Sequence, residues 1–383
     1  MKQTTLHNNT PGLHIVSFDI PYPPNYGGAI DVYYKILALH KAGYAITLHC
    51  TYKGTLTRFP QLEQLCHSVH YYKRHTSVMA QLSYLPYGIV SRMNQELLNN
   101  LLQDEAPIIF EGLVSCYYLS HPALAKRIKV FRECNIEHDY YRGLAKASRS
   151  IWKKIFYLLE ARKLQRFESV IRYATSIAAV AHQDEQYFQN HYPQVPVHYI
   201  PSFHGEQVIR AKNGKGDYIL YHGNLQLAEN ENAALFILKQ IAPAMPEIPF
   251  IFAGRQPSPK LKNQAAGLAN VTIIDSPDAA QMEQLIADAH IHLLPTFQST
   301  GLKLKLLNVL YNGRFVVVNP QMVHGTDVAP LCRIARTPEE MISLCRELIK
   351  HSFSQEEIQK RQLILGKIYS DDANIQKLTH LLL

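Results

Sequence analysis

The chain has 383 residues, more than one hydrophobic core usually organises, so two domains of roughly 150 to 200 residues are expected. With 47% hydrophobic and 18% charged residues it is not an extended disordered protein, and its six scattered cysteines form no C-x-x-C zinc or redox pair and read as reduced, mostly buried thiols. A formal charge of +8 favours anionic partners, whether nucleotide phosphates, a membrane surface or nucleic acid, and does not choose among them.

No stretch approaches the roughly 20 apolar residues of a spanning helix, and no signal-peptide core follows the polar start, so a cytoplasmic location is expected. The first apolar run, Leu13–Phe18, ends at Asp19 and a Pro/Gly loop reaching Gly28. Ile30, Tyr33, Leu37 and Lys41 then follow helical spacing, Gly43 stops the helix, and Ala45–Cys50 is the next strand. This strand, loop and helix alternation predicts a parallel sheet.

Ile108–Phe110 ends at Glu111-Gly112, and Val130–Arg132 runs into Cys134-Asn135-Ile136-Glu137-His138. Binding crevices of open parallel sheets lie at the carboxyl ends of strands, which makes Glu111, Asn135, Glu137 and His138 cleft candidates. Glu111 and His138 are the acid–base candidates, although a chain with 19 histidines uses most of them structurally.

One long helical segment is expected from Tyr140 to Tyr173, basic from Arg142 to Arg172, with Trp152, Ile155, Phe156 and Leu159 on an apolar face. Such a helix either rests on an anionic membrane surface or packs Trp152 into the core. Strands near Ser176–Val180 and Val197–Ile200 close a first domain over 1–205, and a glycine-rich hinge follows over 206–217.

A second alternating series over 218–365 begins with Tyr218–His222 turning at Gly223-Asn224 and a helix from about Asn232. Strands at Phe250–Ala253, turning at Gly254-Arg255, then Val271–Ile274, Ile291–Leu294 and Arg314–Val318 complete it. A terminal helix over 366–383 either ends this domain or packs back on the first. Spacings at His67, His70 and His75 and at His290 and His292 lack the carboxylates of a metal motif, so no metal is expected.

The most informative segment is Leu293-Leu294-Pro295, a loop to Gly301, and a helix from Leu302 to Tyr311. Free backbone N–H groups and the positive end of the helix dipole favour a phosphate there, and Gly301 permits close approach. Lys303 and Lys305 lie about 200° apart on an ideal helix, which favours Lys305 as the one facing a ligand. The alternative is a pair of solvated surface lysines.

In order and spacing, Gly223-Asn224, Glu229-Asn230, Ala253-Gly254-Arg255, Ser299-Thr300-Gly301 with Lys303 and Lys305, and Asn312–Val317 resemble the GT-B glycosyltransferases. The similarity is to the retaining, metal-independent nucleotide-sugar group, the glycosyltransferase family 4-like or group 1 enzymes. In the first half, Pro24–Gly28, Asn135–His138 and Ala179–Asp184 carry it.

The resemblance implies an α/β fold of two Rossmann-like domains with parallel sheets facing across a cleft, the donor on the second and the acceptor on the first. It implies a nucleoside-diphosphate sugar as donor, a saccharide or lipid-linked saccharide as acceptor, and no cofactor. Donor-binding residues would be Gly27, Gly28, Gly223, Arg255, Asp275, Ser299, Thr300, Gly301, Lys303, Lys305 and Asn308. Gly27-Gly28 equally reads as a plain turn, Arg255 as a salt-bridge residue and Asp275 as a helix cap.

Thr300 and Asn308 depart from the pattern, because the resembled family often carries glutamates at these two positions. A catalytically silent GT-B protein that binds a ligand or supports a partner enzyme is therefore the alternative function. Nucleic-acid binding is not expected, since no motif for it accompanies the charge.

Overall fold

The computed structural model describes residues 10–148, 150–297 and 304–383, without the side chains of Val78 and Met79. The chain forms two compact units, one of Met1–Gly205 with Asp371–Leu383 and one of Glu206–Ser370.

The first unit holds seven strands: β1 (Gly12–Ser17), β2 (Ala45–Tyr52), β3 (Ser68–Lys73), β4 (Ile108–Glu111), β5 (Lys129–Arg132), β6 (Ser176–Ala179) and β7 (Val197–Tyr199). They pair in parallel in the order β3-β2-β1-β4-β5-β6-β7. Alternate residues feed cores on opposite faces: Leu13 and Ile15 pack with Val32, Ile36 and Leu39, while Val16 packs with Phe110 and Phe131. Parallel strands covered on both faces by helices read as continuous apolar runs, which is why the sequence exposed them so readily.

The second unit holds six: β8 (Ile219–His222), β9 (Phe250–Gly254), β10 (Val271–Asp275), β11 (Ile291–Leu293), β12 (Phe315–Val318) and β13 (Arg333–Ile334). They are also parallel, in the order β10-β9-β8-β11-β12-β13. In each unit the winding reverses beside the first strand, between β1 and β4 and between β8 and β11. Loops leaving the carboxyl ends of those neighbours diverge, and the backbone crevice they leave is the usual ligand position of a doubly wound sheet.

Several sequence expectations change. The helix Gly27–Lys41 buries Ala29, Val32, Ile36 and Leu39, about one residue's rotation from the face read from Ile30, Tyr33 and Leu37. The shift arises because Asp31 and Lys35, polar in sequence, are buried as a pair. The segment expected as one helix from Tyr140 to Tyr173 is a hairpin of Glu137–Ala147 and Ile151–Phe167, followed by a 3₁₀ stretch, Glu168–Tyr173. Extended backbone at Ser148 and Ser150 breaks it, and the Ser150 hydroxyl caps the new helix at Lys153 N–H.

The edge strands β3 and β13 were absent from the sequence reading: β3 carries no fully buried apolar run and β13 is only two residues long. His70 lies on β3 and stacks on His49, whose Nε2 is 2.8 Å from His14 Nδ1, so these histidines form a ladder across the sheet. The final helix, Asp371–His380, packs against Gly27–Lys41, and the Asp371 carboxylate accepts from the His204 and Gly205 N–H groups.

Candidate functional site

The second unit's crevice is built by close backbone approach. Gly223, just past β8, donates its N–H to Ala253 O, and a Cβ on Gly254 would lie 1.9 Å from Gly223 O. Glycine is therefore required at 254 for the carboxyl ends of β8 and β9 to meet. Beyond them, Gln256 and Ser276 hold left-handed backbone, φ 49° and 53°, at the tips of β9 and β10. Two non-glycine residues in that region store about 1–3 kcal/mol each, strain that clusters at ligand sites.

Hydrogen bonds hold these tips in place. Gln256 N–H donates to Ser276 Oγ at 3.2 Å, Ser276 N–H donates to Gly254 O, and the Gln226 amide donates to Gln256. The left-handed backbone at Gln256 and Ser276 was not legible in the sequence, because strain at a turn leaves no compositional trace unless glycine relieves it.

Lys305, in the helix Leu304–Asn312 after β11, is half-buried and donates to Asn230 Oδ1 at 2.8 Å. Asn230 sits in the helix Ala228–Gln240 after β8, and its amide also donates to Asn224 O at 3.0 Å. One ammonium group thus ties the two elements that leave the reversal point of the sheet. It lies 5.4 Å over the Tyr221 ring, and burial together with this cation pushes the buried His222 imidazole down to about 3.

Of the other candidates, Arg255 is exposed just past β9. Asp275 is also exposed, bonded to Lys262 Nζ and to Ser276 Oγ, and those bonds hold its carboxyl below the usual range. The helix after it is capped instead by Asp278, which accepts from Gln281 N–H, so the cap reading of Asp275 is corrected. Asn308 is half-buried, with an amide oxygen that has no hydrogen-bond partner among the described residues. Ser299, Thr300, Gly301 and Lys303 lie outside the described residues.

In the first unit Gly27 and Gly28 open the helix after β1. A Cβ on Gly28 would meet the Phe18 ring at 2.6 Å, so its glycine serves packing of Phe18 against the helix start. Arg92 donates to Phe18 O at 2.7 Å and to Gly88 O at 2.9 Å. Burial, with Arg74 adding, lowers its guanidinium to about 10, while Asp19 and Glu137 oppose the shift. Burial pushes the half-buried Glu137 carboxyl up to about 7, with Arg92 pulling against it.

Glu111 and His138 are turned inward. Glu111 is fully buried, with both oxygens 2.8 Å from Lys35 Nζ, and Lys35 also binds Asp31 at 2.9 Å. Arg132 completes the cluster at 3.1 Å from Asp31 and donates to Ile200 O and Pro201 O. Burial alone would raise Asp31, but Arg132 and Lys35 outweigh it and hold the carboxyl at about 2.

His138 Nδ1 is 3.1 Å from Glu168, which also accepts from Tyr187 and Tyr192. A group sealed in such contacts cannot touch a substrate, so the acid–base reading of Glu111 and His138 is corrected to a structural one. The physical reason is that β4 is buried on both faces, which directs its last side chain at the adjacent helix. A separate concavity of about 1180 Å³ in this unit is lined by His75, Asn94, Gln95, Tyr117 and His121 among others.

Doubly wound parallel sheets of seven and six strands in two α/β units are the GT-B architecture. Solved structures agree over nearly the whole chain. Sucrose-phosphate synthase from Thermosynechococcus elongatus superposes with a TM-score of 0.64 at 11% identity, covering 97% of this chain and 98% of that one. HepE from Anabaena, solved with UDP and glucose, gives 0.63 at 12%, with 97% and 98% covered. An α,α-trehalose-phosphate synthase from Burkholderia xenovorans, solved with glucose-6-phosphate, gives 0.64 at 9%, with 97% and 100% covered.

In sequence, the chain is 27% identical over 333 residues to an "Uncharacterized 44.6 kDa protein in cps region" of Klebsiella pneumoniae, covering 82% of this chain and 84% of that protein. No family model matches.

Proposed function

We propose that the protein is a glycosyltransferase that moves a sugar from a nucleoside-diphosphate sugar to a saccharide or lipid-linked saccharide, with retention at the transferred carbon. The observation that carries this reading is the Lys305–Asn230 contact at the sheet reversal of the second unit. An ammonium held there neutralises charge on a departing diphosphate, and exposed Arg255 offers a second, forked cation at the same strand ends. Glycine at 223 and 254 keeps the backbone low enough for a nucleotide to lie across it.

Retention suits a site in which Glu111 and His138 face inward, because the departing phosphate oxygen itself accepts the proton of the acceptor hydroxyl. In this reading the cations do the neutralising work and no metal is needed, so chelators leave turnover unchanged. Amide, imidazole and phenol groups around the concavity of the first unit suit a saccharide acceptor, and the relative in a cps region fits polysaccharide assembly at the cytoplasmic side of a membrane.

A second reading, a silent GT-B protein, is favoured by Asn308, whose uncharged amide oxygen is buried where the resembled family often has a glutamate. Titration calorimetry with UDP, GDP and their sugars separates the two. The enzyme reading expects saturable binding, slow release of free nucleotide from one donor, and about 10- to 100-fold weaker binding in Lys305→Met, the worth of one hydrogen bond to a charged group. Saturable binding without nucleotide release supports the silent reading. No saturable binding by any nucleotide overturns the enzyme reading.

A further inference from the structure

The helical hairpin of the first unit leaves its tip bare. In Ile151–Phe167 only Glu160, Ala161 and Leu164 are buried, while Ile151, Trp152, Ile155, Phe156, Leu158 and Leu159 are all exposed, Trp152 by 78%. At 100° per residue those six side chains cover one arc of about 160°, so they form a continuous face. The core-packing reading of Trp152 is thereby corrected.

The same arc changes character further along the helix. Arg162, Lys163 and Arg166 fall within it, beginning about 5 Å beyond Leu159 at 1.5 Å per residue. Lys153 and Lys154 flank it on either side. Between Lys146 and Arg166 the only acid is Glu160, which is buried beneath Lys163 and accepts from Tyr87 N–H. Lys163 also donates to Gln81 O, which brings the exposed Leu82 and Tyr84 alongside.

We propose that this tip docks on an anionic lipid bilayer, with the apolar arc in the headgroup and upper acyl region and the cations at the level of the lipid phosphates. An apolar patch followed by a one-signed collar matches that layering: burial of about 5–10 Å for the first and attraction to anionic headgroups for the second. An acidic protein partner would need the cations but not six uninterrupted exposed apolar side chains beside them. No helix among the described residues is long and apolar enough to cross a membrane, so the attachment is peripheral. It is independent of the donor reading, because lipid binding is measured without nucleotide.

Trp152 is the chain's only tryptophan, so its emission reports the tip alone. The full chain is floated with phosphatidylcholine vesicles with and without phosphatidylglycerol. Binding is expected only with the anionic lipid, weakening as salt rises, with a blue-shifted Trp152 emission that brominated acyl chains quench. Phe156→Glu with Leu159→Glu should abolish flotation, and Lys153→Gln with Lys154→Gln should weaken it about 5-fold per residue. All four residues lie on the surface, so circular dichroism should be unchanged.

No flotation with anionic vesicles overturns the proposal. So does flotation with an unmoved Trp152 spectrum or flotation indifferent to Phe156→Glu with Leu159→Glu. Self-association abolished by that pair, in the absence of lipid binding, would assign the face to a second copy of the chain instead.

Discussion

Replacing Lys35 by Met tests whether Glu111 is held or free to react. Lys35 Nζ lies 2.8 Å from both Glu111 oxygens and 2.9 Å from Asp31, and none of the three is appreciably exposed. At an effective dielectric of about 20, an ion pair at this distance is worth about 6 kcal/mol before desolvation is subtracted. Removing one partner strands the other charge, which costs about 3–5 kcal/mol. For a unit of this size that is a melting-point loss of about 6–20 °C.

The assay is thermal and urea unfolding at pH 7 of the wild type, Lys35→Met, Glu111→Gln and the double variant. The double variant should be more stable than Lys35→Met alone, because the stranded carboxylate is gone, with a coupling energy of about 2 kcal/mol or more. A loss below about 1 kcal/mol in Lys35→Met, or additivity within about 0.5 kcal/mol, refutes the ion-pair argument. Loss of turnover in Glu111→Gln at unchanged stability would restore Glu111 as a catalytic residue.

Two further outcomes follow from the same geometry. Gly254→Ala places a methyl 1.9 Å from Gly223 O and should cost about 1–3 kcal/mol while weakening nucleotide binding, measured by unfolding and calorimetry; unchanged stability would mean the two strand ends move apart freely. Burial raises Glu137 in the folded protein to about 7, so its contribution is full below pH 4.5 and is lost as pH rises through 7. After allowance for partial exposure that is about 2–3 kcal/mol. Glu137→Gln should flatten the stability profile between pH 5 and 7, and an unchanged slope would refute the shift.

Much of the architecture was legible along the chain. Two-sided burial makes parallel strands such as Ile108–Phe110 and Phe315–Val318 unbroken apolar runs, and the strand-to-helix alternation follows from them. The hairpin was not, because the extended residues Ser148 and Ser150 interrupt a helical pattern with a residue type that a helix also tolerates. The edge strand β3 was missed as well, since a serine, a histidine, two adjacent tyrosines and a lysine leave only one apolar residue there and no buried run.

For the candidate site, the sequence by itself determined residue chemistry and local period: a lysine after a strand and loop, glycines at strand ends, a basic stretch with an apolar face. Only the tertiary structure decided which groups meet. Lys305 reaches Asn230 across 75 residues, and Glu111 reaches Lys35 across 76. Periods of 2 and 3.6 describe how a segment turns about its own axis, whereas the partner of a side chain depends on how strands distant in sequence close into one sheet. That closure turned Glu111 and His138 inward, left Trp152 outside and brought a lysine to the reversal point of the second sheet.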